Sequence, residues 1–286
     1  MMQKIAKSGV VLVLVSAVLG IGFQGVAQPP GVQPPVAESL SYIAQLFVKQ
    51  TVAKFDSVLL QSRLATGKIV NTELAFRLET GESKSLKTSE IAALLFEQGR
   101  VKIVLQSGER LSGQLLTSVE MTLVGAGNFK ATFPPNSLHI GLGVIVLSGQ
   151  LQNLSNEEFQ GLLTQFLKMI TRSDIIVFQN DGMLAGLVVN QVFQLDEFYF
   201  NKQEIAEIIF GPPCQLRATW GQVIVGTMRT PAVTVELFNE QTRFEFTTQE
   251  LARILFMDRS VTFARIASLV ERLVPWDPET GRPGKP

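Results

Sequence analysis

The sequence predicts an α+β, β-rich fold of four tandem small β-units of about 40 residues, arranged as two helix-unit-unit lobes by internal duplication and followed by a C-terminal helix. A phrase of the form Glu-[Ile/Leu]-Ala-x-[Ile/Leu]-[Ile/Leu]-Phe occurs three times, beginning at Glu90, Glu204 and Glu250. Short runs of alternating apolar and polar residues, typical of half-buried strands, lie between turn signals. Self-similarity of this kind indicates a repeated supersecondary unit.

The first residues have the order of a signal peptide. Lys4 and Lys7 form a positive n-region, an apolar run covers residues 10–23, and residues 25–27 supply the small side chains for cleavage after Ala27. An uncleaved anchor is the alternative, but a membrane span needs about 20 apolar residues and this run is shorter. The pattern predicts an exported, periplasmic or extracellular protein with no stable membrane span after cleavage.

The remaining organisation follows from composition and apolar spacing. The predicted segments are, in order, a signal peptide at 1–27, a Pro-rich linker at 28–36, a first lobe at 37–150, a second lobe at 151–258, and a C-terminal helix with a disordered tail at 259–286. Each lobe begins with an amphipathic helix, at 37–53 and at about 156–171. Ser155 and Glu158 have the spacing of a capping box at the start of the second helix.

Charge and cysteine content limit the function classes. Residues 1–27 hold two lysines and no acid, so the chain from Gln28 has 23 basic and 25 acidic residues, a formal charge of −2. These charges are interspersed, which gives no basic patch for nucleic acid or an anionic membrane surface. Cys214 is the single cysteine, so no intramolecular disulfide can form. We expect it to be a small buried side chain, with a reactive thiol as the alternative.

Each unit opens with two strands around a turn. Gly67, Gly113, Gly186 and Gly226 fall in the second strand, where we expect tight bends at which a side chain would clash with a neighbouring backbone. The strand-turn-strand opening, with glycines spaced as in Gly108 and Gly113, resembles that of the small five-stranded barrels of the Sm type. The resemblance covers only the opening of each unit, and the basic motif by which those barrels contact RNA is absent here, so no function is carried over from it.

The rest of each unit combines strands with the repeated phrase. Alternation predicts further strands at 74–78, 119–123, 198–200, 233–237 and 244–246. Within the phrase, Ile91, Leu94 and Leu95 have the spacing i, i+3, i+4, which predicts one helical turn closing onto the sheet. In the second unit, residues 134–140 stand where the phrase is expected. A four-bladed propeller is the alternative arrangement of the four units.

The repeated acids of the phrase are the first candidates for chemistry. Glu90, Glu204 and Glu250 fit an N-terminal helix charge that interacts with the helix dipole. Asn201 and Thr247 stand three residues before the second and third acid, which completes capping-box spacing. We therefore interpret these acids as caps, and a binding or catalytic role is the alternative.

The other polar candidates have structural interpretations as well. His139 is the only histidine, and no nucleophile motif or cysteine cluster accompanies it. Asp56 and Asp174 occupy matching places between a helix and a strand, where turn formation is the default. Asp196 and Glu197 are adjacent, so in a strand they would face opposite sides and form no catalytic pair. We assign no catalytic, cofactor-binding or metal-binding residue.

These observations favour an exported, non-enzymatic structural or protein-interaction protein of the cell envelope. It would bind an envelope protein or a second copy of itself through sheet edges or amphipathic helices. The main alternative is a periplasmic carrier of an apolar ligand or lipid held between the lobes. A hydrolase that uses His139 is the third possibility.

Overall fold

The structure is a computed structural model that describes residues 48–49, 51–97, 99–123, 129–139, 143–237, 243–257, 276–277 and 282–283. The predicted signal peptide, the linker, most of the first helix and most of the C-terminal segment lie outside the described residues. Residues 48–258 form one compact domain. Outside this domain, the structure describes one antiparallel pair of two-residue strands, Trp276–Asp277 with Arg282–Pro283.

The first half of the described chain is dominated by short antiparallel strands. They are β1 Asp56–Leu60, β2 Arg63–Ile69, β3 Glu73–Leu78, β4 Ser83–Lys87, β5 Ile91–Glu97, β6 Arg100–Leu105, β7 Arg110–Leu115, β8 Val119–Leu123, β9 Lys130–Phe133 and β10 Gly143–Val146. Residues 48–49 and 51–54, at the end of the predicted first helix, are helical. A 3₁₀ turn, Thr88–Glu90, precedes β5, and a short helix, α1 Pro135–His139, precedes β10.

The second half has a similar succession of strands. After a 3₁₀ turn at Leu151–Asn153 come α2 Asn156–Arg172, β11 Asp174–Phe178, β12 Met183–Val188, β13 Val192–Leu195, β14 Phe198–Asn201, β15 Ile205–Ile209, β16 Cys214–Ala218, β17 Val223–Gly226, β18 Ala232–Glu236, β19 Arg243–Thr247 and β20 Leu251–Leu255. A 3₁₀ turn, Lys202–Glu204, precedes β15. The β-rich class is confirmed, and the strands predicted from alternation are present. Five strands fall in each of the four predicted units.

Strands pair across the boundaries of the predicted units. In the first half, β1 pairs with β2 and β10, β5 pairs with β6 and β10, β2 continues onto β8, and β7 continues onto β3. The corresponding pairs β11–β20, β15–β16, β15–β20 and β12–β18 occur in the second half. A propeller blade is a sheet made from its own strands. The exchanged pairings therefore do not fit the four-bladed alternative.

The two halves are joined by strand pairing as well. Ala65 of β2 opposes Leu184 of β12, and these strands belong to one continuous 18-stranded sheet. The Thr66 hydroxyl donates to the carbonyl of Met183 at 2.8 Å and accepts its N–H at 2.6 Å. Thr66 and Leu184 are fully buried. The described contact between the halves is thus closed by hydrogen bonds and apolar side chains.

The helix α2 confirms the sequence prediction. Ser155 accepts the N–H of Glu158, and Glu158 accepts the N–H of Ser155, so both bonds of the capping box are present. The apolar stripe that includes Leu162, Phe166 and Ile170 is buried. Because this stripe has helical spacing, a single face of the helix can cover the sheet.

The repeated phrase is a strand, which corrects the predicted helical turn. The 3₁₀ turn ends at Glu90, and the apolar residues after it form β5, of which Ile91 to Phe96 are all buried. A strand buried on both faces contains a continuous apolar run, and such a run also satisfies the i, i+3, i+4 spacing of a helix. The period that suggested a helix therefore came from burial on two faces.

The bend glycines behave as predicted at three of four places. A Cβ on Gly67, Gly113 or Gly186 would stand 2.1, 2.4 or 2.5 Å from a backbone carbonyl oxygen of the strand alongside. At Gly226 the nearest atom is instead a carboxylate oxygen of Asp196, at 2.2 Å. At the first three positions, glycine is required because a neighbouring strand approaches closely, and not because of the backbone conformation.

The turn between β1 and β2 has no glycine, although its backbone favours one. Gln61 and Ser62 have φ angles of 49° and 67°, both in the left-handed region. Leu60 opposes Arg63, so this is a two-residue hairpin turn. Turns of this type favour Asn and Gly, because side chains are disfavoured at positive φ.

Candidate interaction site

The two aspartates at the start of β1 and β11 fasten strands together. Asp56 is buried, and its carboxylate accepts the N–H groups of Ile69 and Ser148, each at 2.8 Å. Ile69 ends β2 and Ser148 follows β10, so one side chain holds three strands in register. A carboxylate that accepts backbone N–H groups is strongly hydrogen-bonded. The structure thus assigns Asp56 to strand fastening.

Asp174 has the matching contacts in the second half. It is 2% exposed, and it accepts the N–H of Val188 at 2.8 Å and that of Met257 at 2.7 Å. Lys202 adds an ion pair at 2.7 Å. Since a buried charge is costly unless it is paired and hydrogen-bonded, these three donors account for the buried carboxylate. Both aspartates were predicted as turn residues, and the structure gives them a wider structural role.

Two asparagines form a second pair of equivalent fasteners that the sequence analysis missed. Asn71 donates to the carbonyl of Ser118 at 3.1 Å and accepts the N–H of Glu120 at 2.6 Å. Asn190 makes the same two bonds to Ala232 and Thr234, at 3.1 and 2.8 Å. Their signal in the sequence was the offset between the two halves of the chain, which also relates Gly67 to Gly186.

The acids of the repeated phrase are caps in two of three copies. Glu204 accepts the N–H of Asn201, and Glu250 accepts the N–H of Thr247, each at 2.8 Å. They close a 3₁₀ turn and a hydrogen-bonded turn that lead into β15 and β20, rather than α-helices. In the copy at Glu90 the cap position is Lys87, which makes no capping hydrogen bond through its side chain.

Glu158 holds the start of α2 against the strands of the first half. Its carboxylate contacts Arg110 through two 3.0 Å hydrogen bonds and Lys102 at 2.6 Å. The side chain of Glu158 is 4% exposed. The hydrogen bonds from Arg110, together with those from Lys102 and the Ser155 N–H, outweigh burial and lower the pKa of Glu158 to about 2.

The histidine and the cysteine lie in packed surroundings. His139 ends α1, with its ring 5.6 Å from that of Phe96, and its Nε2 is 3.4 Å from the carbonyl oxygen of Leu115. The Nδ1 atom is buried without a hydrogen-bond partner among the described residues. Cys214 is buried, and this burial raises the pKa of its thiol to about 11. The thiol is therefore protonated at neutral pH, as expected for an inert buried cysteine.

Asp196 and Glu197 occupy a turn rather than a strand, which corrects the reasoning about their faces. They connect β13 to β14, and Asp196 has a φ of 50°. Asp196 accepts the N–H of Thr227 at 2.9 Å and donates its own N–H to the Thr227 carbonyl at 2.8 Å. The turn is thereby attached to the end of β17.

The exposed apolar side chains of the second half include a set on one strand hairpin. Val223 and Val225 of β17 are 48% and 55% exposed, and Trp220, in the turn before β17, is 60% exposed. We call these three residues the apolar edge. Among the described strands, β17 has a register with β16 alone, and Met228, beyond the end of β17, makes a single bridge to Leu195 of β13. An unpaired strand edge with exposed apolar residues is a typical surface for strand addition.

The neighbouring hairpin also exposes aromatic rings. Phe198 and Tyr199 of β14 are 65% and 69% exposed. Asp196, in the turn of this hairpin, contacts Thr227 just beyond β17, so the hairpin meets the strand that carries the apolar edge. Aromatic residues with large exposed areas are enriched at protein interfaces.

A groove of about 600 Å³ lies beside these strands in the second half. Its lining includes Phe210, Met228 and the dipeptide Pro212-Pro213, which is joined by a cis peptide bond. The groove also contains polar residues such as Gln179. It is an open depression within one half of the chain.

Two further properties concern metals and membranes. In the part of the chain that the structure describes, no three His, Cys, Asp or Glu side chains are grouped so that they could hold a metal ion. None of the helices within the described ranges has the length and apolar character needed to cross a bilayer.

Comparison of this chain with protein-family models, with curated proteins and with solved structures finds no match.

Proposed function

We propose that this chain is an exported, non-enzymatic assembly protein of the cell envelope that binds protein partners by strand addition at the apolar edge. The observation that carries the proposal is β17, which pairs with β16 on one side, has no partner strand for Val223 and Val225 on its other side among the described residues, and exposes both valine side chains. Natural proteins protect strand edges with charges, prolines or bulges, so an uncharged apolar edge fits a partner. Backbone hydrogen bonds would supply the affinity.

The hydrogen bonds of the candidate catalytic carboxylates support a structural role for these residues. Asp56 and Asp174 accept backbone N–H groups, and Glu204 and Glu250 cap turns. Each of these carboxylates therefore contributes to holding strands or turns.

Export is proposed from the charge and apolar order of residues 1–27, and N-terminal sequencing of the secreted chain should begin at Gln28. A chain that retains Met1 in the envelope fraction would contradict the cleavage.

The proposal includes an origin of the fold by duplication. Four tandem units, arranged as two helix-unit-unit lobes, would explain why the pattern of strand pairing within the first ten strands recurs within the second ten. The matching hydrogen bonds of Asp56 with Asp174 and of Asn71 with Asn190 support the same origin.

The test is site-specific photo-cross-linking in cells that produce the full chain. A cross-linker at Val223 should form a defined adduct with a protein partner, because this side chain lies on the unpaired strand. A cross-linker at Lys84, which is exposed on β4, is the matched control and should not form that adduct. The adduct should disappear when Val225→Lys introduces a charge on the edge. Identical results at Val223 and Lys84 would refute docking at the edge.

A carrier of an apolar ligand is the second candidate, favoured by the groove at Phe210 and Met228. Its place differs from the predicted one, because β2 and β12 pair where the halves meet. Native mass spectrometry of the purified chain would detect a retained lipid. Met228→Arg should release that lipid if the groove holds it, whereas a chain purified without any ligand would count against the carrier.

A further inference from the structure

The free side of β17 can be located at the level of single backbone groups. Arg217 opposes Val223, Leu216 opposes Ile224, and Gln215 opposes Val225. The Ala218 N–H donates to the Gln222 carbonyl, which makes that pair a hydrogen-bonded one. Since hydrogen-bonded and non-hydrogen-bonded pairs alternate in antiparallel ladders, the next hydrogen-bonded pair contains Ile224.

The alternation turns Val223 and Val225 outward. Their N–H and C=O groups point away from β16, and within the described residues no second strand pairs with them and no loop backbone group bonds to them. The two outward residues stand three and one positions before Gly226. Four backbone groups are therefore available to a new strand.

The chain already uses an edge of this kind once. Leu64 and Thr66 stand three and one positions before Gly67 in β2, as Val223 and Val225 do before Gly226. The same outward edge of β2 pairs with the matching edge of β12, where Leu64 opposes Ala185. Two equivalent strands thus meet antiparallel through their outward residues, and the contact is buried.

The remaining equivalent strand, β7, is occupied differently. At its matching positions stand Arg110, which is ion-paired with Glu158, and Ser112, whose carbonyl accepts the N–H of Glu79 at 3.0 Å. Its edge is charged and partly hydrogen-bonded. Of the four equivalent strands, β17 is the one with an apolar edge and open backbone groups among the described residues.

We infer that β17 pairs antiparallel with β17 of a second copy of this chain, about a twofold axis at Ile224. This inference rests on the proposed docking at the apolar edge, and it names the partner. Val223 of each copy would oppose Val225 of the other, in the arrangement that β2 and β12 have within one chain. Such an interface is self-complementary, and it pairs β-branched apolar residues without placing like charges opposite each other.

The oligomeric state of the full mature chain is the first test, measured by light scattering over a concentration series. The wild type is expected to be a dimer. Val225→Pro removes one outward N–H that takes no part in the β16 ladder, and Val225→Lys adds a charge at the edge. Both variants should be monomeric with unchanged circular dichroism. Gln215→Lys, which places the same charge on the adjacent strand, is the matched control and should remain dimeric.

A cross-linking experiment tests the register. In a Cys214→Ser background, Ile224→Cys should form an intermolecular disulfide on mild oxidation, because the two copies of residue 224 face each other near the axis. Trp220→Cys should not, since pairing about residue 224 places it opposite residue 228 of the other copy. A dimer that fails to cross-link at residue 224 and persists in Val225→Pro would overturn the inference.

The outcomes separate this inference from the proposed function. A monomeric chain that cross-links a different protein from Val223 keeps docking at the apolar edge and overturns the second copy as partner. A monomeric chain that forms no adduct from Val223 overturns both.

Discussion

Removal of the charge on Glu158 should destabilise the chain in a way that depends on pH. The two partners of this carboxylate, Arg110 and Lys102, have side chains that are 36% and 41% exposed, whereas Glu158 itself is 4% exposed. In Glu158→Gln the amide can still accept the N–H of Ser155, but it leaves two cations without their counter-charge. The substitution therefore isolates the ionic part of the contact.

The magnitude follows from the lowered pKa. The pKa of the Glu158 carboxyl falls from an ordinary value of 4.5 to about 2, and a pKa difference of one corresponds to about 1.4 kcal/mol. The full shift corresponds to about 3 kcal/mol, and solvent screening of the exposed cations reduces the expected cost to about 2 kcal/mol. Glu158→Gln should lower the free energy of unfolding at pH 7 by this amount.

The sign of the pH dependence is fixed by the direction of the shift. The folded state binds the Glu158 proton more weakly than the unfolded state, so the stabilisation is complete above about pH 5 and is lost as pH falls toward 2. At about pH 3 more than half of the difference between wild type and variant should have disappeared. Urea unfolding, followed by circular dichroism at several pH values, measures this difference.

The neighbouring Glu157→Gln is the matched control. Glu157 is exposed in the same first turn of α2 and makes no ion pair with a described residue. Its substitution should cost only a few tenths of a kcal/mol through the helix dipole. If the difference between wild type and Glu158→Gln were the same at pH 7 and pH 3, the ionic explanation would be refuted.

Three further substitutions, one of them with a matched control, test other parts of the fold, each by urea or thermal unfolding. Ser62→Gly should stabilise the chain by about 0.5–1 kcal/mol, because it relieves a positive φ in the first hairpin turn, and an unchanged stability would contradict this assignment. Gly186→Ala should cost at least ~2 kcal/mol, since its Cβ would meet a carbonyl oxygen at 2.5 Å, whereas Gly161→Ala, in open space on α2, should stabilise by ~1 kcal/mol. Asp174→Asn should cost about 3 kcal/mol because Lys202 loses its counter-charge, and a loss below 1 kcal/mol would argue against strand fastening.

The elements that were predictable are those with local signals. Helix α2 was found from its apolar period and from Ser155 and Glu158, which are close in sequence. The bends at Gly67 and Gly186 were found because glycine in a strand has few explanations other than close approach. In both cases the physical cause lies within a few residues of the signal.

The parts that were not predictable depend on distant neighbours. The run after Glu90 has an apolar spacing that fits a helix, and burial on both faces makes it a strand. Nothing near β3 indicates that it pairs with β7, because the partner is chosen by tertiary packing. Asn71 was missed for the same reason, since its hydrogen bonds reach Ser118 and Glu120.

The apolar edge combines both kinds of information. In the sequence, residues 223–225 have the pattern of an ordinary apolar strand, and only the pairing shows that one side of this strand has no partner among the described strands. The equivalence with β2, which reveals how such an edge can be covered, depends on Gly67 and Gly226 as markers. The repeat was therefore more informative about binding than any candidate catalytic residue.

The pairing of strands that are distant in sequence limits the order in which the chain can fold. The hairpin β1–β2 has a short loop and can close early, but Ser57 also pairs with Val146, so the sheet is complete only after β10 has been made. Contacts this distant in sequence slow folding, and they make the first half form in one cooperative step. A chain cut between β5 and β6 would consequently give two fragments that complement each other, with neither holding a complete sheet alone.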